Sequence, residues 1–244
     1  MTPAEDACTP QLHTAIQLMR GVIAGVGCGV PAAALSDRAL ADWVRSHGVT
    51  VVADDHAELD LLQHNGIKPL QVVFRCGSDT AALRRAVNLG VSRFIVDTSR
   101  QMARLAECNP CTKYIYLDGD APLVLGDRRL RVIGLHGDVD DGGAVEWATV
   151  AERLLCRSAL LKTCGSPIRR ITLSGGSIQI WEPGQAAVLT SITSAVDEAL
   201  REGCLRWHLS RPAVSLSPSR ANVTAAASHP NRRRASNIAP TLML

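Results

Sequence analysis

Aromatic residues make up only 3% of the 244-residue chain. Its core must therefore come from Ala, Val, Leu and Ile, which favours helices packed on a sheet over an aromatic-rich sandwich. Lysine is scarce as well: Lys68, Lys113 and Lys162 are the only three, and the other 23 of the 26 basic residues are Arg. No uncharged run is long enough to cross a bilayer. The longest, Gly21 to Ser36, is shorter than the roughly 20 residues a span needs and is broken by four Gly and Pro31. A secretory signal is not visible, because Glu5 and Asp6 stand where one carries positive charge. Without a signal, eight Cys read as reduced thiols and not as a disulfide framework, and a cytoplasmic location is expected. The net charge of +3 makes no global case for a nucleic-acid or membrane partner.

What is present is ordinary globular composition, 46% hydrophobic and 20% charged, arranged as an alternation of strand and helix patterns. Gly21–Gly25 is a short apolar strand candidate. Ser36 and Asp37 can cap a helix that runs to about His47. VTVVAD (Val49–Asp54), PLQVVF (Pro69–Phe74), RFIVDT (Arg93–Thr98), KYIYLD (Lys113–Asp118), RLRVIGLH (Arg129–His136) and RRITLS (Arg169–Ser174) read as further strands. Helical patterns cover Ala57–Gln63, Ser78–Gly90, Ser99–Glu107, about Gly143–Cys164 and Ala187–Glu202. Short apolar strands each followed by a helix form parallel sheets with right-handed crossovers. About seven such units predict an α/β fold, either a (β/α)8 barrel, complete or short of a unit, or an open doubly wound sheet. From Ser210 to Leu244 the composition shifts to Ser, Pro, Ala, Asn and Arg, with five Arg and no acidic residue. That segment reads as a disordered basic tail on a barrel domain spanning 1–209. Within it, Arg232–Arg234 before Ser236 resembles a basophilic kinase site, and Asn222–Thr224 spells a glycosylation sequon.

Four segments, taken in order, resemble the barrel domain of fold-type III pyridoxal-phosphate decarboxylases, the diaminopimelate, ornithine and arginine decarboxylase-like enzymes with an alanine racemase-like barrel. Ala41–Ile67 is similar to that family's second strand and the following helix, with Glu58-Leu59 at the matching place. Val72–Glu107 resembles the next two units. VIGLHGDVDD (Val132–Asp141) is similar to G-L-H-x-H-x-G-S, and ITLSGGSI (Ile171–Ile178) to L-D-x-G-G-G-F. Together they cover about residues 20–205 and decide for the barrel. The resemblance implies a lyase of amino-acid metabolism whose pyridoxal phosphate supplies the electron sink. It also implies an amino acid or phosphate-bearing small molecule as ligand.

The sequence departs from this pattern where the chemistry sits. The family's Schiff-base lysine lies on the first barrel strand, but no lysine precedes Lys68, and the matching stretch has Pro31 or Ala33 near that position. The cofactor-stacking His is Asp138 here, whereas His136 matches the first, structural His. The G-S pair is Asp140-Asp141. Ser174-Gly175-Gly176-Ser177 keeps two of three glycines, whose backbone N–H groups can cradle a phosphate. The residues the resemblance assigns to a cofactor are thus Gly175, Gly176, Ser177, His136 and Asp138, and none is assigned as catalytic or as a metal ligand. Glu182-Pro183-Gly184-Gln185 spells most of E-P-G-R but follows the glycine loop too closely, and reads as a chance loop. Where the resemblance calls for a C-terminal β-domain, no strand-rich segment is read, and the basic tail stands there instead.

These observations predict a degenerate, truncated homologue without decarboxylase activity, a pseudoenzyme. Two alternatives stay open. One is an active enzyme using a non-standard lysine, for which Lys113, at a strand start, and Lys162, late in a helix, are poor substitutes. The other is a metal-dependent enzyme using the acidic rim of Asp54, Asp55, His56, Asp118, Asp120, Asp138, Asp140 and Asp141. Cys108-Asn109-Pro110-Cys111 is a C-x-x-C with no second pair, and reads as a Pro turn in preference to a metal or redox site. The oligomeric state is open.

Overall fold

The computed structural model describes residues 9–219 except 120, 123–127, 141–142, 177 and 182. Eight parallel strands close into a barrel in sequence order: β1 (Gly27–Pro31), β2 (Thr50–Ala53), β3 (Val72–Arg75), β4 (Arg93–Val96), β5 (Lys113–Asp118), β6 (Leu130–Val139), β7 (Arg170–Gly175) and β8 (Ala213–Ser217). The helices are α1 (Thr9–Val22), α2 (Arg38–His47), α3 (His56–His64), α4 (Thr80–Asn88), α5 (Ser99–Glu107), α6 (Ala144–Thr163) and α7 (Ala186–Arg206). The sheet is therefore a complete barrel, not an open one.

Two sequence expectations are corrected. Gly21–Gly25 is not a strand. It is the end of α1 and a turn, and the apolar stripe Leu12, Ala15, Ile16, Met19 and Ile23 is buried at helical spacing. The boundary at 209/210 also moves, because Ala213–Ser217 is β8 and pairs with both β1 and β7. The Ser and Pro around a five-residue strand masked its two buried outward residues, Val214 and Leu216. The kinase-like site and the sequon lie outside the described residues. The first helix has a structural consequence: α1 packs against α7 and α2 and so completes the helical ring between them from in front of β1.

Helix starts follow the capping rules. Asp37, Asp55, Asp79 and Thr98 each accept backbone N–H bonds at an N-cap, and α5 adds a box in which Gln101 accepts from Asp97 N. Outward strand residues such as Phe74, Phe94, Ile115, Leu117, Leu135, Ile171 and Leu173 join the helices in the main core. Inside the barrel, Val73, Ile95 and Tyr116 form a separate small cluster with Val52 and Ile133. Alternation then sends Arg75, Asp118, His136, Asp138, Ser174 and Ser217 inward toward the C-terminal end. The half from β7 to β1 is lined by small residues: a Cβ on Gly27 would meet the Ser215 side chain at 3.1 Å, and one on Gly29 that of Ser217 at 3.0 Å.

Candidate functional site

The C-terminal mouth holds a cavity of about 300 Å3 bounded by Pro31, Asp54, Glu58, Arg75, Asp138 and Ser174, among others. Its central feature is Arg75, the last residue of β3, which reaches across the opening to β6. Its Nη1 donates to Asp138 Oδ2 at 2.5 Å and its Nη2 to Asp138 Oδ1 at 2.7 Å, a two-pronged guanidinium–carboxylate pair. Nη2 also meets His136 Nε2 at 2.5 Å, and Asp118 Oδ2 lies 3.8 Å from Nη1. Nε2 also lies 3.2 Å from Asp138 Oδ1, so this ring nitrogen faces both the guanidinium and the carboxylate. On the other side of the ring Nδ1 meets Thr172 Oγ1 at 2.9 Å, and the Thr172 hydroxyl donates to Leu135 O. His136 is 1% exposed and has both ring nitrogens occupied.

The charges in this network reinforce each other. Burial works to raise the pKa of Asp138, but its contacts with His136 and Arg75 reverse this and hold the carboxyl far below the usual range. Asp118 is shifted the other way, chiefly by burial, although His136 and Arg75 oppose that. Asp118, His136 and Asp138 bring ligand atoms within 4.8 Å of one another, the spacing of a cation site. Arg75 sits on this cluster through its contacts with all three and supplies the cation itself.

The second acidic group, Asp54, Asp55 and Glu58, is largely a helix cap. Asp55 accepts from Glu58 N at 2.8 Å, and Glu58 accepts from Asp54 N at 2.9 Å. Burial and the neighbouring Asp54 push Glu58 up to about 7, so this cavity-lining carboxyl can hold or release a proton near neutral pH. His56 faces Asp79 instead, at 3.5 Å. Asp140 lines the cavity, while Asp120, Asp141, Ser177 and Glu182 lie outside the described residues.

Two more residues that the sequence singled out lie at the end of β7 against packed side chains. Gly175 ends β7 facing outward, where a Cβ would stand 2.8 Å from both Trp147 and Val139 side chains. Gly176 has φ +63°, and the Ile180 side chain fills the space over its Cα. Its carbonyl accepts from Ser219 N at 3.1 Å. Close by, Trp147 Nε1 is the buried side-chain donor that has no partner among the described residues.

The lysines stand apart from the mouth. Lys68 precedes β3 at the strand-start end, and Lys113 opens β5, buried, with Nζ donating to the carbonyls of Cys108 and Asn109. Lys162 lies in the last turn of α6 and donates to His208 O at 2.7 Å. The C-x-x-C is therefore a turn held by Lys113, with Asn109 at φ 46°, and the seven described cysteines are free. No helix among the described residues is long and apolar enough to cross a membrane.

No protein-family model matches the sequence, and no curated protein is similar to it by sequence. Solved structures do share the fold. A diaminopimelate decarboxylase of M. jannaschii superposes with a TM-score of 0.72 at 12% identity, covering 86% of this chain and 59% of that one. A lysine decarboxylase of Selenomonas ruminantium gives 0.67 at 12% identity over the same shares. The arginine decarboxylase of Paramecium bursaria Chlorella virus gives 0.67 at 13% identity over 86% and 62%. The chain thus has the barrel fold of these decarboxylases and spans about three-fifths of their length. Another structure of the Selenomonas ruminantium enzyme contains pyridoxal phosphate and cadaverine, with 14% identity.

The residues present do not fit pyridoxal phosphate as the resemblance implies it is held. Pro31 ends β1 and lines the cavity where a Schiff-base lysine is expected. The ring-stacking position is Asp138, committed to Arg75. Packing side chains fill the space at the Cα of both loop glycines.

Proposed function

We propose that this barrel is a homologue of the pyridoxal-phosphate decarboxylases that no longer decarboxylates, and that it acts by binding and not by coenzyme chemistry. The observation that carries the proposal is the exchange at the mouth: Pro31 ends β1 where the resemblance calls for a lysine, and Asp138, at the position the resemblance gives to the cofactor-stacking His, is paired with Arg75. An imine needs an amine at the reacting carbon, and the three lysines are engaged elsewhere or start from the opposite end of the barrel. That argues against decarboxylation through a non-standard lysine. The metal-dependent alternative meets Arg75 already seated among Asp118, His136 and Asp138. Free thiols agree with a cytoplasmic setting.

The test is reductive trapping. Purified full-length protein is mixed with pyridoxal phosphate and reduced with borohydride, and pyridoxyl-lysine is located by mass spectrometry. The proposal expects no adduct, or partial labelling scattered over Lys68, Lys113 and Lys162. One stoichiometric adduct that a phosphate analogue competes away would restore the enzyme reading.

A further inference from the structure

The opposite end of the barrel carries a larger cavity, about 600 Å3, and its chemistry differs from that of the mouth. Its origin is in the strand lengths. β6 has ten residues, and its pairing with β7 begins only at Leu135↔Ile171. The stretch Leu130–Gly134 therefore overhangs the barrel floor, and a register shift against β5 between Val132 and Gly134 bends it there. The loop from α6 to β7 passes alongside the overhang and leaves a cleft between them.

Arg93, Arg131, Arg169 and Arg170 converge on this cleft beside the exposed ring of Tyr114, and none of its lining residues is acidic. Among the described residues, none of the four arginines makes an ion pair. Arg93 spends one donor on Leu70 O, and burial together with the nearby Arg170 lowers its hold on its proton. Strand starts in such barrels ordinarily serve stability. Four like charges gathered at one opening work against stability, so the feature calls for a counter-charge that none of the described lining residues supplies.

We propose that the floor cleft is a binding site for a small phosphorylated molecule with at least two negative charges and a planar or apolar body, of the size and class of a nucleoside diphosphate. Guanidinium forks match phosphate oxygens in pairs. Tyr114, with the apolar wall of Val132 and Ile133, offers a surface for the uncharged body. The convergence of the charges on one concavity favours a compact ligand over a nucleic-acid strand tracked along a surface. The inference stands independently of the coenzyme reading, since its residues and its readout are separate.

The experiment is calorimetric titration of the full chain at low salt with ADP, inorganic pyrophosphate, adenosine and single-stranded RNA. The same titrations are run on Arg131→Glu/Arg169→Glu and on Tyr114→Ala, with melting curves establishing that the variants fold. Because both substituted arginines are exposed, the charge reversal leaves the core untouched. The expected result is binding of ADP and pyrophosphate but not adenosine, with ADP weakened about 30-fold or more by the charge reversal. Tyr114→Ala is expected to weaken ADP about 5-fold and leave pyrophosphate unchanged. Three results would overturn the proposal: no small anion binds, ADP affinity is insensitive to the double substitution, or RNA alone binds.

Discussion

The two openings of this barrel are built on opposite electrostatic plans. At the C-terminal mouth, one arginine is surrounded by Asp118, His136 and Asp138 and bonded to two of them, a closed circuit of charge. At the floor, four arginines share a cleft twice as large and have no carboxylate among its lining residues. The same residue type is thus used in two ways. Paired and partly buried, it fills a site; crowded and without an ion-pair partner among the described residues, it is the basis of the site proposed at the floor. In barrels of this class chemistry belongs to the mouth, so a paired charge there and a floor lining of arginines without carboxylates run against the usual assignment.

The comparison is broken most severely by removing the mouth's own cation. Arg75→Ala leaves Asp118 and Asp138 facing each other without a counter-charge, and is expected to cost about 2 kcal/mol in urea unfolding. That is less than the roughly 3–5 kcal/mol for a fully buried pair, because Asp138 is 44% exposed and solvent screens it. It also frees three ligand atoms at metal spacing. Zn2+ should therefore raise the melting temperature of Arg75→Ala and leave that of the wild type unchanged.

Next in size is the glycine loop. If Gly175 serves packing, Gly175→Ala drives a methyl into Trp147 and Val139 and costs about 2 kcal/mol by chemical denaturation. A stability within a few tenths of a kcal/mol of wild type would return the loop to a ligand role.

The smallest effect concerns Glu58, whose pKa rises from 4.5 to about 7 on folding. The folded state binds this proton more tightly, so its contribution to stability is full below the ordinary carboxylate range and is lost as the pH rises through about 7. Glu58→Gln lacks that dependence. The wild type should lose about 1 kcal/mol relative to Glu58→Gln between about pH 5 and about pH 8, measured by melting across the range.

Much of the architecture was legible in the sequence, because β2 to β7 are short apolar runs and the helices after β2, β3 and β4 start on side-chain caps. The elements that escaped have physical reasons. β8 is a five-residue strand with two apolar residues between Ser and Pro, and only its pairing with β1 and β7 defines it. α1 was hidden by the glycine-rich turn that follows it, although Leu12, Ala15, Ile16, Met19 and Ile23 carried the helical period. The site was half legible. His136, Asp138, Asp118 and Asp54 follow from the resemblance and from strand ends. Arg75 was missed although alternation after Val73 and Phe74 sends it inward, because its partners lie 43 to 63 residues away in sequence and meet it only on barrel closure. The floor cleft was invisible for the same reason, since Arg93, Arg131 and Arg170 belong to three different strands.

The most direct test of the contrast between the two openings is the reactivity of each arginine. Phenylglyoxal labelling of the native protein, followed residue by residue by mass spectrometry, reports how available each guanidinium is. The account predicts rapid modification of Arg131, Arg169 and Arg170, slowed by pyrophosphate, while Arg75 stays protected by its pairing. Arg75 labelled as fast as the floor arginines would contradict it, because the mouth would then hold no closed ion-pair network.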